Sequence, residues 1–219
     1  MAPKTEPADF FSKVEAPPLL SRTPLKWARE AFSDPVALLI DHAFLEKKAA
    51  NNATELMTRW PSDWTDHKRI QRWIETMTGV ARDEALHLAQ VVRLLGRRGG
   101  HLGRVHKNPY ANALRLLVRK GSTGETLDRV LVSALIEARS CERFAVLSAA
   151  AVEFGDEELA AFYRTLFSSE MGHYKVFLRL AGEIEPEDAV DARWRRMLEK
   201  EAEILSAQEP GPRIHSGAS

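Results

Sequence analysis

Two short stretches of this chain, Glu84-Ala-Leu-His87 and Glu170-Met-Gly-His173, repeat one arrangement of a carboxylate and an imidazole. Residues three apart on an α-helix lie one turn from each other on the same face, so both side chains can reach a single ion. A lone match is weak, because the Glu and His frequencies of this chain produce it roughly once by chance. The pair is stronger, since each copy falls on the apolar stripe of a helical pattern. One stripe runs Ile70, Trp73, Met77, Val80, Glu84, His87, Val91, Leu94, and the other Leu159, Phe162, Leu166, Ser169, Glu170, His173, Phe177, Leu180. A carboxylate among such neighbours is costly unless compensated, and a cation is the simplest compensation.

Two more carboxylates stand where core residues are expected. Glu46 interrupts the stripe Val36, Leu39, Ile40, Ala43, Ala50, Ala53, Met57, and Glu137 interrupts Leu127, Val130, Ala134, Cys141, Phe144, Ser148. Glu55 lies off its stripe. His42 also lies off it and is expected to face solvent. Cys141, one turn from Glu137, reads as a small buried hydrophobe. Glu142 is open between supporting the ligands and being exposed. The candidate ligands, and hence the candidate catalytic set, are Glu46, Glu84, His87, Glu137, Glu170 and His173. Four carboxylates and two imidazoles suit iron or manganese; calcium avoids nitrogen, and structural zinc favours thiolates. Iron is the expected metal, as a pair of ions that delivers electrons to O₂. An apolar pocket above such a site favours hydroxylation, whereas a route for ions favours iron oxidation and storage.

The elements that must position these residues are all helical, and no segment shows sustained strand-like alternation. A short helix is expected at Leu25 to Phe32. Asp34-Pro35 then opens a long one to about Arg59, and a second runs from about Trp64 to Leu95. A shorter helix spans Tyr110 to Lys120. The third long helix covers about Thr126 to Phe154, the fourth Asp156 to Ala181 ending at Gly182, and Pro186 opens a fifth to about Ala207. Two long hairpins joined by a crossover are the layout of ferritin-like bundles, with one Glu from each of two helices and Glu-x-x-His from the other two. The fold class is therefore all-α: a ferritin-like four-helix bundle with additional short helices. Glu137 precedes Glu170 by 33 residues and Glu46 precedes Glu84 by 38, so the first hairpin needs a longer loop, which Trp60 to Trp64 can supply.

At 219 residues the chain is expected to form one domain, residues 1–219, with an extended arm at 1–23 anchored by Pro17-Pro18-Leu19-Leu20 and a flexible tail at 208–219. One cysteine excludes an internal disulfide and a Cys-based zinc or iron–sulfur site. With no signal peptide or long apolar run, the expected location is the cytoplasm, away from membranes. Basic and acidic residues balance at 31 each, yet Arg93, Arg97, Arg98, Arg104, Lys107, Arg115, Arg119 and Lys120 occupy a stretch without one acid. That run is a candidate anion-binding face.

The phrases Asp41-His42-Ala43-Phe44-Leu45-Glu46-Lys47-Lys48-Ala49-Ala50, Asp83-Glu84-Ala85-Leu86-His87, Leu135-Ile136-Glu137-Ala138-Arg139-Ser140-Cys141-Glu142-Arg143-Phe144 and Ser169-Glu170-Met171-Gly172-His173-Tyr174 resemble the MiaE family of tRNA hydroxylases. The resemblance spans about Pro35 to Gly182. It implies a ferritin-like oxidoreductase with a non-haem di-iron centre on the six residues above. Such an enzyme is a monooxygenase that uses O₂ and an external electron donor, a reductase or ferredoxin-type protein. Its substrate would be the isopentenyl group of 2-methylthio-isopentenyladenosine beside the tRNA anticodon. The basic run then becomes the expected RNA-binding face, and the chain a monomer or small oligomer. The alternative is a ferritin- or rubrerythrin-like protein that oxidises iron or reduces peroxide.

Overall fold

Seven helices and no strand are found among residues 16–122 and 124–218, the part of the chain that this computed structural model describes. They are α1 (Leu25–Ala31), α2 (Pro35–Leu56), α3 (His67–Arg97), α4 (Pro109–Arg115), α5 (Glu125–Glu153), α6 (Glu157–Ile184) and α7 (Glu187–Ser206). The four long helices α2, α3, α5 and α6 form the ferritin-like bundle, α2 packing chiefly on α3 and α5 on α6.

Local chemistry sets the helix starts. Asp34 accepts from the Ala37 N–H and Pro35 takes the first position of α2; Asn108 and Asp156 cap α4 and α6 in the same way through Ala111 and Leu159. The start of α3 is later than the expected Trp64, because Asp66 is the residue whose carboxylate accepts from the Lys68 and Arg69 N–H groups. The expected stop at Gly182 is passed. α6 continues to Ile184, and the extended Glu185 before Pro186 ends it, as the proline ring disfavours a helical residue ahead of it. α4 ends at Arg115, short of the expected Lys120.

The outer faces of α2 and α5 are covered as well as their inner ones. Residues 1–15 of the expected arm lie outside the described residues, but Leu19 is buried, and the backbone N–H and hydroxyl of Thr23 donate to Glu142 at 2.6 Å each. The end of the chain, expected as a flexible tail, packs instead. Ile214, His215 and Ser216 are buried; the Ile214 N–H donates to Asp41 at 2.8 Å, Trp27 Nε1 to Ser216 Oγ at 2.9 Å, and Arg143 to the Ser216 carbonyl at 3.0 Å. α7 is tied to α5 by Arg139 and Glu201, both without solvent exposure, in a two-pronged pair of 2.8 and 3.0 Å that also accepts from the Tyr110 hydroxyl.

Candidate metal centre

Each long helix of the bundle brings its candidate ligands to one buried cluster at mid-height. Glu46 comes from α2, Glu84 and His87 from α3, Glu137 from α5, and Glu170 and His173 from α6, all nearly inaccessible to solvent. One ligand atom from each of Glu46, Glu84, His87 and Glu170 lies within 4.8 Å of the others, and the same holds for Glu84, Glu137, Glu170 and His173. Glu84 and Glu170 belong to both groups, so two neighbouring positions share two carboxylates. The imidazoles cross over: His173 Nδ1 stands 2.7 Å from Glu84, and His87 Nδ1 stands 3.0 Å from Glu170.

The donor set tests well against a pair of cations. Glu84 Oε1, Glu170 Oε1 and His87 Nδ1 are buried without a hydrogen-bond partner among the described residues, although they crowd together. Native interiors rarely leave such atoms unsatisfied. At 2.7 and 3.0 Å the imidazole nitrogens and carboxylate oxygens are close but out of line for N–H···O bonds. Charge gives the same result. Burial and the charges of Glu170 and Glu46 push Glu84 up to about 8; burial and neighbouring carboxylates also raise Glu46 and Glu137. Burial lowers the affinity of His87 and His173 for a proton, but the surrounding carboxylates overcome it and carry them to about 12 and about 10. Without cations the cluster gathers protons; cations would take the place of those protons.

His42 departs from expectation. It is fully buried, its Nε2 lies 2.6 Å from Glu46 Oε1, and Phe144, Phe162 and Tyr163 surround its ring at 4.9 to 5.8 Å between centroids. Burial drops its pKa to about 4, so it is neutral and donates one N–H to the Glu46 carboxylate. The spacing of His42 and Glu46, four residues on one helix, is the sequence signal that could have found it. Cys141 is buried as expected, its Sγ 3.4 Å from the Phe167 carbonyl. Glu142 is buried too, held by Thr23 and by Arg139 at 3.1 Å.

Glu137 has the opposite surroundings. A cleft of about 400 Å³ between α2, α4 and α5 runs in from the surface and has Glu137 among its lining residues. Leu45, Ala49, Ala111, Val118, Val132 and Ile136 supply apolar wall; Asn51, Asn52, Asn108 and Ser133 supply polar groups; Lys48, Arg115, Lys120, Arg129 and Glu55 supply charge. Of the six candidate ligands, Glu137 is the one that lines it.

The basic run divides. Arg97 and Arg98 pair with Glu158 and Asp156 at 2.6 to 3.2 Å, joining the end of α3 to the start of α6. Arg119 and Arg193 share the buried Asp128 at 2.8 Å each. Those three members of the run are occupied in holding the fold. Arg93, Arg104, Lys107, Arg115 and Lys120 are exposed and make no ion pair among the described residues, and Arg115 and Lys120 line the cleft. Lys48, not part of the run, lines it too; burial and the charge of Arg115 lower its pKa, and its Nζ lies 2.8 Å from His106 Nδ1.

A bundle with four buried carboxylates and two crossed imidazoles defines a ferritin-like protein with a candidate di-metal centre. A solved structure of this class, "Protein 43 with aldehyde deformylating oxygenase activity from Synechococcus", superposes with a TM-score of 0.81 at 31% identity, covering 91% of this chain and 96% of that one. Residues 13–216 match the family described as tRNA-(MS[2]IO[6]A)-hydroxylase (MiaE), and the chain belongs to that family. Two relatives carry the name tRNA 2-(methylsulfanyl)-N(6)-isopentenyladenosine(37) hydroxylase. The one from Pseudomonas putida is 38% identical over 89% of this chain and 90% of its own length; the one from Salmonella typhimurium is 30% identical over 89% and 86%. Among the described residues no helix is long and apolar enough to cross a membrane.

Proposed function

We propose that this chain is the tRNA hydroxylase of its family, an enzyme that adds one oxygen from O₂ to the isopentenyl group of 2-methylthio-isopentenyladenosine beside the anticodon. The observation that carries the reading is the cleft that leads from the surface to Glu137, one of the six candidate ligands. Family membership supplies the substrate class.

Glu46, Glu84, His87, Glu137, Glu170 and His173 are the residues that would hold two irons, Glu84 and Glu170 being common to both candidate groups. Bound there, the irons supply O₂ activation, with electrons from an external donor. The chain supplies the rest. His42 holds Glu46 from behind through the 2.6 Å contact, and its aromatic surroundings keep water from that side. Leu45, Val132 and Ile136 give the cleft walls that fit a prenyl chain and exclude bulk water near Glu137. A hydroxylase needs an opening of this kind for an organic substrate, whereas iron storage needs a route for ions.

The test is direct. Purified chain, loaded anaerobically with ferrous iron, is reduced and exposed to O₂ with tRNA carrying the prenylated base; mass spectrometry of the nucleosides should show a gain of one oxygen. Accumulation of many irons per chain with no modified nucleoside would favour the storage alternative.

A further inference from the structure

We propose that Asn52, fixed by Ser133, reads the adenine edge of the nucleotide in the cleft, while Arg115 and Lys120 at the mouth receive its phosphate. The inference rests on the hydroxylase reading and adds how the cleft tells its base from others.

Position is the first argument. Ser133 and Glu137 follow one another on the same face of α5, a single turn or about 6 Å apart along the axis. Asn52 of α2 reaches across to Ser133, its amide nitrogen donating to the hydroxyl at 2.8 Å, and Ser133 in turn donates to the Arg129 carbonyl at 3.0 Å. A polar pair thus stands one helical turn from Glu137, with Ile136 and Leu45 among the residues lining the same cleft. That separation is comparable to the reach of an isopentenyl chain.

Hydrogen-bond capacity is the second. A primary amide has two N–H groups and one carbonyl oxygen. Asn52 spends one N–H on Ser133, which leaves one donor and one acceptor side by side. A prenylated adenine keeps one N–H on its exocyclic nitrogen beside a ring nitrogen that accepts, the complementary pair, and Asn is a favoured partner for that edge. Guanine presents a carbonyl there and fails the match. The third argument is charge: the exposed Arg115 and Lys120 have no ion pair among the described residues, and Lys48 adds a third cation to the same cleft. Phosphate contacts of this kind give affinity without reading sequence.

The experiment measures binding of anticodon stem-loop RNAs with prenylated adenine, plain adenine or guanine at the target position, across a salt series. Asn52→Leu should lose roughly ten- to a hundredfold of the parent's preference for prenylated adenine over guanine. Its salt slope should stay as in the parent. Ser133→Ala, which unfixes the amide without removing it, should lose part of that preference. Arg115→Glu with Lys120→Glu, two surface changes that leave the core alone, should weaken all three RNAs alike and flatten the salt dependence. Arg179→Glu, an exposed residue on α6, a helix that contributes nothing to the cleft, is the control and should match the parent. Unchanged base preference in Asn52→Leu, with native helicity by circular dichroism, overturns the reading of the base. Parental salt dependence in the Arg115/Lys120 variant overturns the phosphate seat. A parent that binds the modified hairpin selectively but never adds oxygen would instead sink the hydroxylase reading and leave Asn52 standing.

Discussion

His42 Nε2 lies 2.6 Å from Glu46 Oε1, inside a ring of Phe144, Phe162 and Tyr163, while no comparable donor backs Glu137 on the far side of the cluster among the described residues. The cluster is therefore asymmetric: Glu46 is clamped and Glu137 faces a cleft.

His42→Ala should loosen Glu46 and lower iron affinity about tenfold or more, the usual cost of removing such a partner behind a metal ligand. His42→Gln, which keeps an N–H donor, should recover part of it. Ferrous iron titration monitored by the spectrum after oxidation reads the effect. If His42→Ala binds two irons as tightly as the parent and gives the same spectrum, the clamp is without consequence.

His42 also shows where the sequence stopped being legible. Glu46, Glu84, His87, Glu137, Glu170 and His173 could be singled out because each is polar on an apolar stripe, an anomaly one chain can reveal. His42 lies off the stripe of α2, where the sequence predicts a solvent-facing residue, yet Asp41, His42 and Phe44 are all buried. The reason is that α2 is covered on its outer side by the chain's own end, with Ile214 bound to Asp41. An apolar stripe implies one wet face, and this helix lacks one here. Arg139 and Arg143 on α5 are also hidden, Arg139 against Ser21 and Glu201 and Arg143 against Ser216. The basic run failed differently: Arg97 and Arg98 find their acids 58 to 61 residues away, pairings no local pattern shows.

Metal removal should make stability fall with rising pH. Glu84 is raised to about 8 and His173 to about 10, so the metal-free fold holds protons that the unfolded chain releases earlier. Stability then falls as pH rises from the ordinary carboxylate range toward 8. Iron bound there would take the place of those protons, so the loaded protein should lack that decline and should release protons on binding iron at neutral pH. Thermal melts of both forms from pH 5 to 8, with calorimetry in buffers of different ionisation enthalpy, check it. A metal-free form that gains stability over that range would contradict the charge balance described.

Glu201→Ala should be among the most damaging changes away from the centre. It leaves Arg139 buried without its two-pronged partner and removes the acceptor of the Tyr110 hydroxyl. Breaking a buried pair from one side costs roughly 3–5 kcal/mol. Urea unfolding should show a loss of that size; a loss below about 1 kcal/mol, the range of surface pairs, would mean that the network contributes little.

The proposed hydroxylation of a tRNA side chain at the Glu137 cleft, with iron on the six buried residues, is open to one single-turnover measurement. Protein loaded with two irons per chain and reduced is mixed with prenylated tRNA and isotopically labelled O₂, and the nucleosides are weighed. One labelled oxygen is expected on the prenyl group in the parent, and none in Glu84→Ala, which loses a carboxylate common to both candidate groups. Label absent from the parent's nucleoside, or present undiminished in Glu84→Ala, would contradict it.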